Sequence, residues 1–311
     1  MPTSSAALPR PALLDGLFDY AGLFPPAALA LDAAAAQYAA HRARPEAWML
    51  GRFVVPLASA PDLALRLPGG EDVELSVLGT GGDTAEAFLD AFDADLHALG
   101  ALHRRFGRVR ARAYEVRLPS ELLRASVPHA IRFLDALGAR QAAAPEAPQL
   151  FLEVPLNSRA FALLRVLRGT GHGVKFRTGG LTAEAFPSPA ALAEALDAAA
   201  RFRVPFKCTA GLHHPVRMHR PEVEARMHGF LNVFGGAVLR HAGAVTSAEA
   251  LRRVVEDEDV AAWGWTEDGG LRYRDLRVPA TAVRAARAFA TGLGSCSFDE
   301  PVDDLRALGL L

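Results

Sequence analysis

Short aliphatic and β-branched runs alternate along this chain with amphipathic stretches of helical period. The runs at residues 49–56, 73–78, 111–118, 149–155, 173–177 and 205–209 predict strands. Between them, Asp83-x-x-Glu86 has the form of a capping box with Asp83 as N-cap, opening a helix with Phe88, Phe92, Leu96 and Leu99 on one stripe. Ser188-Pro189 predicts an N-cap and first-turn proline, and Thr246-x-x-Glu249 a further capping box. Strands alternating with helices at this spacing imply parallel pairing through right-handed crossovers.

Six such units in series predict an α/β fold, a (β/α)8 TIM-type barrel with an N-terminal helical extension. A doubly wound dinucleotide fold is disfavoured, since no G-x-G-x-x-G follows the first strand, and no cofactor is implied. Residues 261–265 are the expected seventh strand and 295–298 the expected eighth. Residues 266–277, around Asp268-Gly269-Gly270, predict a turn or hairpin. The whole chain, 1–311, reads as one domain: a helical lead-in over 1–45, then barrel and C-terminal helices over 46–311.

Alternation along the strands sorts the side chains. If Tyr114, Val116, Leu152, Val154, Val174, Phe176, Phe206 and Cys208 face the helices, then Glu115, Arg117, Glu153, Lys175, Arg177, Lys207 and Thr209 face the barrel interior. Four neighbouring strands then aim ionisable groups at their C-terminal ends, where active sites of this fold sit. Buried charges of both signs can compensate one another, so a purely structural ion-pair network is the competing explanation.

Length and composition narrow the classes. The chain has 311 residues, half of them hydrophobic and 22% charged, enough for a sizeable core. The formal net charge of −1 gives no general pull toward nucleic acid or anionic membrane. The apolar stretch at 20–31 is short and broken by Pro25-Pro26, and the first twelve residues lack a basic start before an apolar run. A cytoplasmic protein is expected, with its oligomeric state open, a homo-oligomer included. The two cysteines, Cys208 and Cys296, cannot build a disulfide framework.

The basic residues are lopsided. Of 34, only Lys175 and Lys207 are lysine. Where arginine has replaced lysine almost everywhere, a retained lysine points to chemistry a guanidinium cannot do, such as losing its proton and attacking a carbonyl. The two lie 32 residues apart, one βα unit, in Gly173-Val174-Lys175-Phe176-Arg177-Thr178-Gly179-Gly180 and Pro205-Phe206-Lys207-Cys208-Thr209-Ala210-Gly211-Leu212. Converging ammonium groups in a desolvated mouth should depress one another's pKa and leave one amine neutral near pH 7.

This pair of motifs resembles the deoxyribose-phosphate aldolase family of class I aldolases, TIM barrels with K-x-S-T-G at one strand end and K-x-A-G-G at the next. The resemblance spans residues 149–215. It implies that Lys175 forms a Schiff base with a carbonyl substrate, that Lys207 modulates it, and that Glu153 lies on the preceding strand. Arg177 stands where that family has serine, and the second motif runs on into Leu212-His213-His214-Pro215. The chain as a whole resembles a bacterial family ending in a Gly-Ser-Cys-Ser-Phe-Asp-Glu-Pro segment.

The expected activity is therefore that of an aldolase-like lyase acting on a small carbonyl substrate, carboxylated or phosphorylated. Lys175, Lys207, Glu153, Glu115 and His213 are the catalytic candidates. Arg117, Arg177, Thr178, Gly179, Gly180, Thr209, Gly211 and His214 are candidates for holding the substrate. Two alternatives stand beside it. His213 and His214, with Glu115, Glu153 and His172, could form a metal site for a hydrolase or isomerase, or the charged interior could belong to a binding protein without catalysis. Cys296 lacks an evident base in the sequence, and Asn232 is a rare polar residue among apolar neighbours, as packing hydrogen bonder or substrate contact. Asp19-Tyr20-Ala21-Gly22 and Pro25-Pro26 are expected to cap one end of the barrel.

Overall fold

The computed structural model describes residues 9–144 and 146–311. Eight parallel strands close into a barrel: β1 (Phe18–Tyr20), β2 (Leu50–Pro56), β3 (Val73–Leu78), β4 (Val109–Arg117), β5 (Gln149–Val154), β6 (Gly173–Arg177), β7 (Phe206–Thr209) and β8 (Ala290–Ser295). Each strand pairs with its neighbours in sequence, and β8 closes on β1. Helices follow in turn: α1 (Leu31–Arg42), α2 (Ala60–Arg66), α3 (Ala85–Arg105), α4 (Val127–Ala142), α5 (Ser158–Leu167) and α6 (Pro189–Phe202). The long β7–β8 connection carries an antiparallel hairpin (Met218–Arg220 with Ala225–Met227), α7 (Gly236–His241), α8 (Ala248–Glu256), a three-stranded antiparallel sheet and α9 (Ala280–Arg287). The α10 helix (Asp299–Ala307) ends the fold.

The expected (β/α)8 barrel is thus observed, and the six strands expected from periodicity are β2 to β7. The other two lie elsewhere than expected. Residues 263–265 belong to the small antiparallel sheet, paired with Leu271–Tyr273, which in turn pairs with Leu276–Val278. The turn around Asp268–Gly270 is the hairpin predicted there. The last barrel strand is Ala290–Ser295, ahead of the expected 295–298. Its sequence, ATGLGS, is small and glycine-rich, hence weakly strand-like. The missing first strand, β1, lies within the supposed helical lead-in. It is three residues long with a buried carboxylate, Asp19, at its centre, so no apolar alternation marks it.

Helix starts follow the predicted chemistry with small shifts. Ser188 Oγ accepts from Ala191 N at 3.2 Å, as expected. The other two caps fall one residue later, on Thr84 and Ser247, whose hydroxyls accept from Ala87 N and Ala250 N. The core fills the layer between strands and helices. Tyr114 on β4 packs edge-on against Phe92 of α3 with ring centroids 5.2 Å apart, and Phe206 of β7 stacks on Phe234 at 5.6 Å. No helix among the described residues is long and apolar enough to cross a membrane.

Candidate active site at the mouth of the barrel

The parity of β4 is fixed by Tyr114, whose hydroxyl reaches out to Asp95 Oδ2 on α3 at 2.6 Å. Glu115 must then point inward. The pairing register aligns Glu153 with Lys175 and Lys175 with Lys207 on adjacent strands. Residues in register on neighbouring parallel strands lie side by side, so these three side chains meet inside the barrel, and Glu115, level with Phe151 one step lower on β4, joins them from beneath.

Glu115 sits between the two lysines. Its Oε2 is 3.1 Å from Lys175 Nζ, and its Oε1 is 2.5 Å from Lys207 Nζ. Lys175 Nζ also lies 2.8 Å from Glu153 Oε2. Lys207 reaches across the interior to donate to Ser76 Oγ on β3 at 2.8 Å and to Asp19 Oδ2 on β1 at 2.5 Å. Ser76 Oγ in turn donates to Glu115 Oε1 at 2.5 Å.

Asp19 and Ser76 are the members of this cluster that sequence reasoning missed as chemistry. Asp19 was hidden because β1 was not recognised. A second signal lay in Gly51 of β2: a Cβ there would sit 2.4 Å from Asp19 Oδ1, so glycine makes room for the carboxylate. The next backbone N–H, that of Arg52, donates to the same oxygen at 2.7 Å, and the Arg52 guanidinium stands 3.8 Å from Oδ2.

The electrostatics correct one expectation. Burial alone would lower the pKa of Lys175, but Glu115 and Glu153 outweigh it, and the pKa is raised above the ordinary lysine value. The resting amine is therefore an ammonium, not the neutral amine that two converging lysines would give. Glu115 is the converse case. Burial would raise its pKa, yet Lys207 and Lys175, with hydrogen bonds from Lys207 and Ser76, hold it far below the usual carboxylate range. The carboxylates between the lysines cancel the repulsion that the sequence suggested.

Lys175 lies on the floor of a cavity of about 720 Å³ at the C-terminal mouth, the face where this fold works. Glu115, Glu153, Arg117, Arg177, Gly180, Thr209, Gly211, His213 and His214 share its lining, as expected, and the segment containing Ala21 and Pro25-Pro26 forms another wall. Three expected site residues do not open on it. Lys207 is 1% exposed and lies beneath. Thr178 is fully buried, its hydroxyl donating to the carbonyls of Thr209 and Ala210 at 3.1 and 2.6 Å. Gly179 packs against Gly211, where a Cβ would come within 2.9 Å of the facing Cα.

The other candidates sort cleanly. His213 Nδ1 lies 2.9 Å from Glu300 Oε2, and His214 Nδ1 lies 2.6 Å from Asp304 Oδ2, both partners on α10. His172 precedes β6, at the strand's N-terminal end and away from the mouth, and does not join the cluster. Among the described residues, no group of three or more His, Cys, Asp or Glu is disposed to hold a metal ion. Asn232 is a packing hydrogen bonder, accepting from Arg217 N and donating to the carbonyls of Val254 and Asp257. Cys296 has a base beside it after all, since His213 Nε2 stands 3.9 Å from its Sγ. No protein-family model and no curated protein matches this chain.

Proposed function

We propose that the protein is an enzyme, a lyase of class I aldolase type that makes or breaks a C–C bond through a Schiff base on Lys175. The observation that carries this reading is Lys175 Nζ itself: a buried amine on the cavity floor, within 3.1 Å of two carboxylates. An amine so placed can lose a proton to Glu153, 2.8 Å away and the more open of the two acids. The freed lone pair attacks a substrate carbonyl, and the carbonyl oxygen leaves as water after protonation. The resulting iminium withdraws electrons from the adjacent C–C bond. As that bond breaks, the β-hydroxyl gives its proton to a carboxylate and its carbon departs as a carbonyl, while the bonding pair enters the iminium to give an enamine; protonation at carbon restores an iminium, which water hydrolyses. Glu115 orients Lys175 and keeps negative charge beside the developing iminium. Lys207 holds Glu115 in place from below, a positioning role.

The same cavity favours an anionic substrate. Arg117 and Arg177 line it with no acidic partner among the described residues, and guanidinium groups match carboxylate and phosphate oxygens. A panel of β-hydroxy carbonyl compounds, each with a carboxylate or phosphate, tests the reading by following release of the carbonyl fragment. Turnover should vanish in Lys175→Met, while Arg177→Gln should raise KM about tenfold or more with a smaller effect on kcat. Turnover that survives Lys175→Met would overturn it.

A further inference from the structure

Cys296 follows β8 directly, and with His213 and Glu300 it lines the cavity. The three side chains form a chain of contacts: Cys296 Sγ to His213 Nε2 at 3.9 Å, and His213 Nδ1 to Glu300 Oε2 at 2.9 Å. This is a thiol beside an imidazolium that can stabilise its thiolate, and a carboxylate that fixes the ring and keeps it protonated. The other thiol supplies the contrast. Cys208 faces away from the interior on β7, is fully buried, and burial pushes its pKa far up.

We propose that Cys296 is a second nucleophile of this cavity, activated by His213 and Glu300, and that it adds reversibly to aldehydes carrying a carboxylate. The thiol proton leaves to solvent, and the thiolate pairs with the His213 imidazolium at Nε2. Sulfur then attacks the carbonyl carbon, the C=O π pair moves to oxygen, the imidazolium gives its Nε2 proton to that oxygen, and solvent reprotonates the ring. The net change is addition of S–H across C=O, a thiohemiacetal, with no oxidant or further reactant. The Arg117 and Arg177 side chains supply charge for the carboxylate.

The groups facing this site agree with the assignment. Tyr20 on β1 has its pKa pushed up to about 12, chiefly by burial, so it stays a neutral phenol. The His213 pKa is pushed up to about 9: burial opposes this, but the contacts with Cys296 and Glu300 outweigh it. Asp299 and Glu300 on α10, the His214–Asp304 pair, and the Arg220–Glu222 pair of the hairpin complete the charged surroundings.

The proposal does not depend on the Schiff base, and its test removes that chemistry. Iodoacetamide alkylation is followed by peptide mass mapping in wild type and in Lys175→Met, with thermal melts to confirm folding. One alkylated cysteine, Cys296, is expected. At pH 7, His213→Gln should slow alkylation at least tenfold, and Glu300→Gln, whose side chain is half exposed and least needed for folding, by a smaller factor. In Lys175→Met, millimolar glyoxylate should protect Cys296, and dilution should restore its reactivity. Alkylation within twofold of wild type in both His213→Gln and Glu300→Gln, or no protection by glyoxylate, would overturn the proposal.

Discussion

Lys175 and Lys207 are the same residue type in register on adjacent strands, yet their surroundings give them different work. Lys207 is 1% exposed and neutralises Asp19 and Glu115, both also buried. Lys207→Met would leave two carboxylates without their shared partner, and removing one side of a buried ion pair costs about 3–5 kcal/mol. Lys175 is 7% exposed, opens on the cavity, and has Glu153 at its solvent edge. Lys175→Met leaves Glu115 still paired with Lys207 and Glu153 at the cavity edge within reach of water, and should cost less, about 1–2 kcal/mol. Urea unfolding of the two variants checks this. Equal losses would contradict the division of labour between them. The scarcity of lysine marked both positions in the sequence. It could not say which was the structural one, because that depends on Asp19 and Ser76, contributed by strands far away in the chain.

At the scale of elements, the β6 and β7 ends form one clamp. Thr178 joins the two turns through its hydroxyl, and Ala210 and Gly211 both take positive φ, at 63° and 75°. Glycine tolerates that conformation and alanine does so at some cost. Gly211 carries a second demand, since Phe186 and Gly179 leave no room for a Cβ. Gly211→Ala should therefore destabilise by about 1–3 kcal/mol and misplace the mouth, whereas Ala210→Gly should be near neutral; melting temperatures of the two variants measure it. The Thr-Gly and Ala-Gly spacing was legible as tight turns. Their roles were not: Thr178 and Gly179 were expected to hold substrate, and they tie the loop after β6 to the loop after β7. Strands β2 to β7 were legible because their apolar faces alternate or run unbroken. The short β1 with its buried acid and the glycine-rich β8 carry no such signal, so the barrel's closure came from tertiary pairing alone.

For the whole molecule, Glu115, His213 and the buried histidines shape how stability varies with pH. Glu115 titrates far below its ordinary value of 4.5, so its contribution is complete above that pH and is lost progressively as pH falls below it toward the folded-state value. His213 is raised from 6.5 to about 9, so its contribution is complete below pH 6.5 and fades as pH rises through about 9. Burial lowers the pKa of His41, His103, His172, His228 and His241, so these rings cost stability as pH falls below about 6.5. Thermal stability should then be greatest near roughly pH 6 to 7 and decline on both sides. His213→Gln should flatten that alkaline decline and leave the acid limb unchanged; an unaltered alkaline limb would show that the His213–Glu300 pair does not matter to stability. Because the eight strands run parallel and in sequence order, every inward charge near a strand's C-terminal end reaches the same mouth. That convergence was readable from parity once a barrel was assumed.

The most direct measurement on the central claim is borohydride reduction in the presence of small carboxylated aldehydes and ketones, followed by peptide mass mapping across pH 6 to 10. A raised pKa keeps the resting amine protonated, so trapping should grow as pH rises, and all of the reduced adduct should lie on Lys175 with none on Lys207. Glu115→Gln removes one of the two charges holding that proton, and should move the rise to lower pH. No adduct on Lys175 anywhere in that range, or one on Lys207 instead, would contradict the account.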